Sequence, residues 1–334
     1  MKALVTGGTG FIGSHVVDAL LSRGYDVRCI VRKTSNLRWL HDPAIEKVTL
    51  DGLLDLEGLK EAMKGIDVLF HVAGSLIEKD WEGFYNANVK PVEMLYQAAE
   101  AVGGNLKRYV LVSSTGAAGP SFDGRPRTED DPPHPVSTYG RSKLEGERVA
   151  QTWFDRIPST IIRPSAVYGP RDPNFVVIFK QVRRGLVPLI GRGEHYANLV
   201  HGQDLARAIV DAAEAEKAIG QTYTIASARP IPRSELFNTV GDVYGRRART
   251  IELPARLALG LAKSYSAFMI KVLNRRSLLD PERLETIAYR YWSFDISKAQ
   301  KDLNFKEEFS LHEGMKQTYE WYLEHGWLDK DLGR

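Results

Sequence analysis

The sequence predicts an α/β fold in which a doubly wound parallel sheet is followed by a smaller, mostly helical C-terminal lobe. Two observations support this prediction. Apolar strand-like runs alternate with helical patterns through the first half of the 334-residue chain, as they do in parallel sheets with helices on both faces. Several of these runs, including VLFHVAG and RYVLVSS, are apolar almost throughout, which is typical of strands that are covered on both sides.

The individual elements can be assigned in chain order from these runs and from the periodicity between them. Strands are predicted at 2–6, 26–32, 46–50, 67–72, 107–113 and 159–163, and helices at 11–23, 56–64, 81–103 and 138–156. After Arg163, prolines break the chain into shorter elements, and helical patterns fall at 174–185, 202–216, 233–244, 254–273 and 310–325. We therefore expect a sheet domain over 1–165, with later returns to the sheet at about 200–226, and a second lobe over 166–330.

Composition and charge exclude several classes of protein. The chain has 45 Lys and Arg against 42 Asp and Glu, and a net charge of +3 gives no support for nucleic-acid binding. It has neither an apolar run long enough for a transmembrane helix nor the charged and apolar leader of a secreted protein, so we expect a cytoplasmic protein. The single cysteine, Cys29, lies in an apolar run and is expected to be a buried, unreactive thiol. The sequence predicts no metal site.

A glycine-rich turn joins the first predicted strand to the first helix. The stretch KALVTGGTGFIGS spaces Gly7, Gly10 and Gly13 three residues apart. Such a turn lets a pyrophosphate approach the backbone closely, and the following helix N-terminus offers free amides to the anion. Chance alone could produce this spacing, but the turn follows a strand and opens an amphipathic helix. We therefore predict that the turn, with Phe11 and Ile12, binds a dinucleotide.

The end of the second predicted strand indicates which dinucleotide binds. An acid at this position would hold a ribose 2′-hydroxyl, whereas an arginine would accept a 2′-phosphate. The stretch DVRCIVRKTSN has Val31 where the acid would be expected and continues with Arg32 and Lys33. A solvated strand end also commonly carries such cations. The pattern nevertheless favours NADP as the cofactor, with NAD as the alternative.

Three side chains predict the chemistry. Tyr139 and Lys143, in STYGRSKLEGERVA, are four residues apart and fall on one face of a helix. Alone this spacing is unspecific, and a plain surface pair is the alternative interpretation. The strand VLVSSTGAAG, however, brings Ser114 to the carboxyl edge of the sheet. Because an ammonium favours phenolate and a hydroxyl can orient a substrate oxygen, these residues predict hydride transfer with Tyr139 as general acid/base.

With these motifs the chain resembles the extended short-chain dehydrogenase/reductases, the NAD-dependent epimerase/dehydratase family, which have a Rossmann fold. The resemblance runs through TGGTGFIG, FHVAG, NVK, VSSTGAAG, YGRSK, RPSAVYGP, NLVHGQDLARAIV and FDISKAQKDLNF, nearly the whole chain. It implies that 1–165 binds the cofactor, that 166–330 mainly binds substrate, and that the helices at 81–103 and 138–156 form a homodimer. The implied catalytic residues are Ser114, Tyr139 and Lys143. The implied cofactor contacts, besides the glycine turn, are Arg32, Lys33, Asp51, Leu53, Val72, Ala73, Gly74, Asn88, Tyr139, Lys143, Pro164 and Val167.

Within that family the residues favour an oxidoreductase of alcohols and ketones. UDP-hexose epimerases carry an arginine where this chain has Ala197, although Arg192 lies five residues upstream. The 4,6-dehydratases have Asp-Glu directly after the catalytic hydroxyl, whereas this chain has Thr115 and Gly116 there. The chain is therefore most similar to dihydroflavonol reductases and 3β-hydroxysteroid dehydrogenase-like enzymes, which implies a non-nucleotide, apolar small-molecule substrate. A nucleotide-sugar epimerase is the first alternative, and a non-catalytic NADP-binding sensor or scaffold is the second. The apolar helix predicted at 254–273 could pack in the core, line the pocket or touch a membrane surface.

Overall fold

The computed structural model describes residues 1–103, 106–260, 264 and 281–329. Within these residues seven parallel strands form the main sheet, in the order β3-β2-β1-β4-β5-β6-β11. They are β1 (Lys2–Thr6), β2 (Asp26–Val31), β3 (Glu46–Thr49), β4 (Val68–His71), β5 (Arg108–Val112), β6 (Ser159–Pro164) and β11 (Gln221–Ile225). The strand order reverses between β1 and β4, which confirms the doubly wound α/β fold and marks where such sheets bind ligands.

Helices cover both faces of this sheet. One layer contains α1 (Phe11–Ser22), α8 (Gly202–Glu214) and α12 (Ser297–Leu303), and the other contains α2 (Leu56–Met63), α4 (Lys90–Ala101) and α6 (Thr138–Gln151). Along β1, Ala3 and Val5 pack into the first layer and Leu4 into the second. Because both faces are covered, the strands can be apolar throughout.

A second, smaller core is built after β6. Its helices are α7 (Val176–Arg183), α9 (Arg233–Tyr244), α10 (residues 255–260), α11 (Pro281–Ala288) and α13 (Leu311–Glu324). Among them, in the described part of the chain, lie three small sheets formed by β7 (Ala166–Tyr168), β8 (Leu186–Ile190), β9 (Tyr196–Ala197), β10 (Leu199–His201), β12 (Ile231–Pro232), β13 (Arg249–Leu253) and β14 (Tyr291–Trp292). The return to the main sheet expected at about 200–226 occurs at β11, which pairs with β6.

The helix predicted over 81–103 is two helices. The first, α3 (Trp81–Asn88), is separated from α4 by the single residue Val89, which has φ −110° and ψ −59°. Pro91 lies in the first turn of α4, where its missing amide is tolerated, but its ring would clash with a preceding helical turn. The prediction of one continuous helix was therefore wrong.

Most of the helix predicted over 254–273 lies outside the described residues. Within the predicted range, the described residues 255–260 are helical. In the described part of the chain, no helix combines the length and the apolar character that crossing a membrane requires. The short helix α5 (Thr115–Ala118) follows β5 directly and completes the carboxyl edge of the main sheet.

Candidate active site

The turn between β1 and α1 forms one wall of the candidate site. Gly7 has φ +76°, and a Cβ on it would lie 2.7 Å from the Ala73 nitrogen at the end of β4. A Cβ on Gly13 would lie 2.0 Å from the Gly7 carbonyl oxygen. No side chain fits at either position. The backbone therefore folds tightly against β4, and α1 begins at the exposed Gly10 without a side-chain cap among the described residues.

This turn fits the pyrophosphate of a dinucleotide. The exposed N-terminus of α1 offers backbone amides, and the absence of side chains on the turn lets an anion approach them.

Below the turn, the Cys29 side chain on β2 is fully buried, and its Sγ would lie 3.0 Å from a Cβ on Gly8. Burial raises the pKa of the Cys29 thiol to about 12, so this cysteine is a structural thiol, as expected.

The two cations at the end of β2 differ in their partners. Lys33 forms an ion pair with Asp51 at 3.3 Å, and both side chains are largely exposed. The Arg32 side chain is exposed and has no hydrogen bond or ion pair with any residue in the described part of the chain, while its backbone amide donates to Ser35 Oγ at 2.9 Å. Arg32 is therefore available to a ligand, whereas Asp51, an implied adenine contact, is already paired.

The end of β4 lies beside the catalytic helix α6. Ala73 donates its backbone amide to Thr6 Oγ1 at 3.3 Å, and Thr6 Oγ1 is 2.7 Å from His71 Nδ1. Burial, with a smaller contribution from the charge of Lys143, lowers the pKa of His71 to about 3, so this ring is neutral at physiological pH. A Cβ on Gly74 would lie 3.6 Å from Lys143 Nζ, so the glycine backbone and the amine are close neighbours.

Asn88 joins α3, α6 and the loop after β4. Its Nδ2 donates to the Ser75 carbonyl oxygen and to Ser142 Oγ, both at 2.9 Å, and its Oδ1 accepts from the Ser75 amide at 2.7 Å. Ser142 Oγ in turn donates to the Tyr139 carbonyl oxygen at 2.7 Å. Asn88 is 2% exposed. The structure thus places this residue next to the active site as a link between segments.

Ser114 and Tyr139 meet at the carboxyl edge of the sheet. Ser114 caps α5 by accepting the Gly116 amide at 3.0 Å, and a Cβ on Gly116 would lie 3.2 Å from Ser114 Oγ and 3.4 Å from Tyr139 Cε1, so the two side chains are close neighbours. Tyr139 lies in the first turn of α6, which Ser137 caps, and its half-buried ring is 6.4 Å from the ring of Phe84. Burial raises the pKa of Tyr139, and the nearby Ser114 hydroxyl opposes this shift.

Lys143 is buried one turn after Tyr139. Its Nζ donates to the Val112 carbonyl oxygen at 2.8 Å. Burial lowers the pKa of Lys143 to about 8, and the carboxylate of Glu147 acts in the opposite direction. The lowering of the Tyr139 pKa expected from this amine stays a prediction, since in the structure burial raises this pKa and the opposing influence comes from Ser114.

A buried ion pair that sequence reasoning missed lies behind Lys143. Arg163 on β6 pairs with Glu147 on α6 at 2.6 Å. The position of Glu147 near Lys143 had a signal in the sequence, because Glu147 follows Lys143 by four residues and therefore shares its helix face, but its pairing with Arg163 had none. The same strand ends at Pro164, and the following Ser165 amide donates to the Ile225 carbonyl oxygen at 3.0 Å.

The other implied cofactor contacts lie at the edges of the site. Val167 on β7 pairs with Val200 on β10, and Leu53 packs beside the core layer that contains α2. These two residues are half-buried, as is Val72. The structure therefore brings the turn, Val72, Ala73, Gly74 and the catalytic residues together, and leaves Leu53 at the periphery.

Two arginines near the segment where UDP-hexose epimerases carry theirs differ in their contacts. Ala197 lies in β9, and Arg192 is exposed in the preceding loop. Arg233 donates to the Ile190 carbonyl oxygen at 3.0 Å and forms an ion pair with Glu252 at 3.2 Å. Of these two arginines, Arg233 is therefore already engaged.

The chain is similar over nearly its whole length to several known proteins. A ceramide reductase from Caulobacter vibrioides is 28% identical over 340 residues, covering 98% of this chain and 96% of the relative. A 3-beta-hydroxysteroid dehydrogenase from Mycolicibacterium neoaurum is 27% identical over 346 residues, covering 96% and 91%. The crystal structure of gox2253 matches with a TM-score of 0.81 at 27% identity, over 97% of this chain and 98% of that one.

A UDP-glucose 4-epimerase from Thermotoga maritima, solved with UDP-glucose, matches with a TM-score of 0.79 at 24% identity, over 97% of this chain and 99% of that one. At this identity the likeness concerns the fold alone. The model of the NAD dependent epimerase/dehydratase family matches residues 3–226. The chain therefore belongs to the NAD-dependent epimerase/dehydratase family, as its motifs predicted.

Proposed function

We propose that the chain is an NADP-preferring oxidoreductase that transfers a hydride between nicotinamide and a carbonyl or secondary alcohol of a non-nucleotide, apolar small molecule. The observation that carries this proposal is the cluster of Ser114, Tyr139 and Lys143 at the carboxyl edge of the sheet. It lies beside the glycine turn, so a dinucleotide bound there would reach the three side chains.

The chain's own residues supply the proton chemistry. A substrate oxygen that enters beside these two neighbouring hydroxyls would accept hydrogen bonds from Ser114 Oγ and Tyr139 Oη. In reduction Tyr139 gives its proton to this oxygen as negative charge develops there, and in oxidation it takes the proton back. The raised pKa of Tyr139 keeps the phenol protonated at neutral pH and so favours its role as a donor. A bound nicotinamide supplies or accepts the hydride.

Lys143 and Arg32 are proposed to hold the cofactor. The Lys143 amine, next to Gly74, is placed to donate hydrogen bonds to ribose hydroxyls at the edge of β4. The unpaired, exposed Arg32 guanidinium at the end of β2 is suited to a 2′-phosphate, with which arginine forms strong bidentate hydrogen bonds. Lys33 contributes less, because Asp51 already neutralises it.

An apolar substrate is supported by the aromatic ring beside Tyr139 and by the engagement of Arg233 with other partners. The Phe84 ring flanks Tyr139, and Arg233 is committed to Glu252 and to backbone carbonyls. The diphosphate of a nucleotide sugar needs charged or polar anchors, and in the described region Arg192 is the candidate for this role. The names of two relatives, a ceramide reductase and a 3-beta-hydroxysteroid dehydrogenase, refer to apolar substrates and support the same class.

The test combines binding and turnover. NADPH-loaded protein is titrated calorimetrically with UDP, dTDP and GDP, and a panel of apolar ketones and aldehydes is assayed by NADPH oxidation. We expect no nucleotide binding, and turnover of a ketone that falls about 10²- to 10⁴-fold in Tyr139→Phe without weaker NADPH binding. Micromolar nucleotide binding that is lost in Arg192→Ala would replace this proposal with a sugar-nucleotide epimerase. NADPH binding without any turnover would favour a sensor or scaffold.

A further inference from the structure

One buried carboxylate connects the catalytic helix to two strands of the main sheet. Glu147 Oε1 accepts hydrogen bonds from Ser113 Oγ at 2.5 Å and from Arg163 Nε at 3.0 Å, and Oε2 accepts from Arg163 Nη2 at 2.6 Å. The side chains of Glu147 and Arg163 are 1% and 7% exposed. This carboxylate therefore fixes α6 to the end of β5 and to β6.

The same carboxylate lies one helical turn beyond Lys143. The charged and titratable groups that face the Lys143 amine in the described chain are His71 on β4, Tyr139 and Glu147 on α6, and Arg163 on β6 behind Glu147. His71 is neutral, because burial lowers its pKa to about 3, and the raised pKa of Tyr139 keeps its phenol neutral. Among these four groups, Glu147 therefore supplies the negative charge.

Stability alone does not account well for this ion pair. Burying two charges costs desolvation free energy that their attraction often fails to offset, and well-packed apolar residues are frequently as stable. The pair does, however, lie beside an amine that is itself buried and that burial drives toward its neutral form. A neutral amine would offer a ribose a weaker, uncharged donor.

We propose that Glu147 is a positioning residue for the cofactor site, whose carboxylate keeps the Lys143 amine in its charged form, while Arg163 limits the strength of this effect. Only the consequence for the cofactor rests on the function proposed above. The proximity of the two side chains rests on their spacing of one helical turn and on their bonds to adjacent residues at the end of β5, from Lys143 Nζ to the Val112 carbonyl oxygen at 2.8 Å and from Ser113 Oγ to Glu147 Oε1 at 2.5 Å.

Two substitutions in the ion pair are expected to act in opposite directions. Glu147→Gln keeps the size and an acceptor oxygen but removes the charge, so the pKa of Lys143 should fall by about one unit. Arg163→Gln leaves the carboxylate without its counter-charge, so the pKa of Lys143 should rise. A purely structural role would disturb packing in both variants and would not produce shifts of opposite sign.

The readout is the pH titration of the lysine ε-carbon signals by NMR in the cofactor-free protein. The Lys143 signal is identified as the one that is missing from Lys143→Met. The matched control is Glu145→Gln, which removes an exposed charge on the same helix that pairs with Arg148 at 3.1 Å and should leave the Lys143 titration unchanged. Glu147→Asp keeps the charge and should retain a titration close to that of the original chain.

Circular dichroism and thermal unfolding establish that each variant is folded. If Glu147→Gln does not fold, Arg163→Gln and Glu147→Asp still decide the question, because the first must raise the Lys143 pKa and the second must preserve it. Equal or absent shifts in the two charge-removing variants would overturn the proposal, as would a shift of the same size in Glu145→Gln.

A second readout separates this inference from the proposed function. The dissociation constant of NADPH should increase at high pH as Lys143 loses its proton, and this increase should begin about one pH unit earlier in Glu147→Gln. If neither NADPH nor NADH binds the original chain while the NMR shifts are opposite, the proposed function fails and the inference stands. If NADPH binds but the Lys143 signal does not respond to Glu147, the inference fails and the proposed function stands.

Discussion

Two buried asparagines, one in each region of the molecule, connect segments that are distant in sequence. Asn88 joins the loop after β4 to the catalytic helix through Ser75 and Ser142. Asn198, between β9 and β10, donates to the Ser227 carbonyl oxygen at 2.6 Å and accepts the Phe294 amide at 2.8 Å. The first link includes Ser142, which bonds the Tyr139 carbonyl oxygen, whereas the second connects backbone groups that follow β11 and β14. At the sheet edge, therefore, the bonds that hold the fold also reach a candidate catalytic residue, and the side-chain bonds of Asn198 reach none.

The largest effect at the sheet edge is expected for Gly13→Ala. A Cβ there would lie 2.0 Å from the Gly7 carbonyl oxygen, so the turn cannot keep its shape. We expect the free energy of unfolding to fall by about 3 kcal/mol, the upper end of the cost of overpacking, and NADPH binding to be lost. The control is Gly52→Ala, where a Cβ would meet nothing within 4 Å. Normal NADPH binding by Gly13→Ala would contradict the prediction.

The next effect compares the two asparagines directly. Asn88→Ala and Asn198→Ala each leave buried polar groups without partners, which should cost about 1–3 kcal/mol of unfolding free energy in both variants. Asn88→Ala should also weaken NADPH binding and turnover by tenfold or more, whereas Asn198→Ala should leave the NADPH dissociation constant unchanged. Chemical denaturation and fluorescence titration measure the two quantities. Equal loss of cofactor affinity in both variants would remove the distinction between the regions.

A pH effect of similar size is expected from buried histidines in and beside the main sheet. Burial lowers the pKa of His71 and His201 to about 3 and that of His15 to about 4. In the unfolded chain the histidine pKa values are near 6.5. Below that pH the unfolded chain therefore binds more protons than the folded chain, so the free energy of unfolding falls as the pH drops from about 6.5 toward 3–4. At pH 5 each histidine should lower the free energy of unfolding by about 2 kcal/mol relative to its value at pH 7.

Urea unfolding at pH 7 and pH 5 measures this loss. In His71→Asn the difference between the two pH values should shrink by about 2 kcal/mol. In His312→Asn, which changes an exposed histidine of the smaller core, it should stay the same. An unchanged difference in His71→Asn would show that this ring is not held neutral.

The smallest effect concerns the cations at the end of β2. Arg32→Ala should weaken NADPH binding about tenfold, roughly 1.4 kcal/mol, and leave NADH binding unchanged, because only NADPH carries the 2′-phosphate. Lys33→Ala is the matched control, since Lys33 is paired with Asp51 and largely exposed. Equal affinities for the two cofactors, unaffected by Arg32→Ala, would exclude the proposed preference for NADP.

The main sheet and the proximity of the candidate catalytic side chains could be predicted because their signals are local. Strands covered on both faces are apolar throughout, and Tyr139 and Lys143 share one helix face. The break at Val89 was missed because the apolar periodicity continues across it, and the strands β9, β12 and β14 are two residues long, too short to show any periodicity.

Pairings between distant residues could not be predicted. The Lys33–Asp51 and Glu147–Arg163 ion pairs depend on how strands and helices meet. The roles of the catalytic and cofactor-contact residues, the division into 1–165 and 166–330, and the homodimer through α3, α4 and α6 stay predictions. Light scattering would test the last of these, and a monomeric mass would exclude it.

The buried position of Cys29 makes this thiol a reporter of local opening around the glycine turn. Its Sγ lies beneath Gly8, and its pKa of about 12 leaves almost no thiolate to react. A thiol reagent can therefore modify Cys29 only when local opening or unfolding exposes its side chain. The rate of labelling measures how often this opening occurs, and a dinucleotide that binds the turn should slow it. Cofactor binding could then be followed by mass spectrometry before any substrate is known.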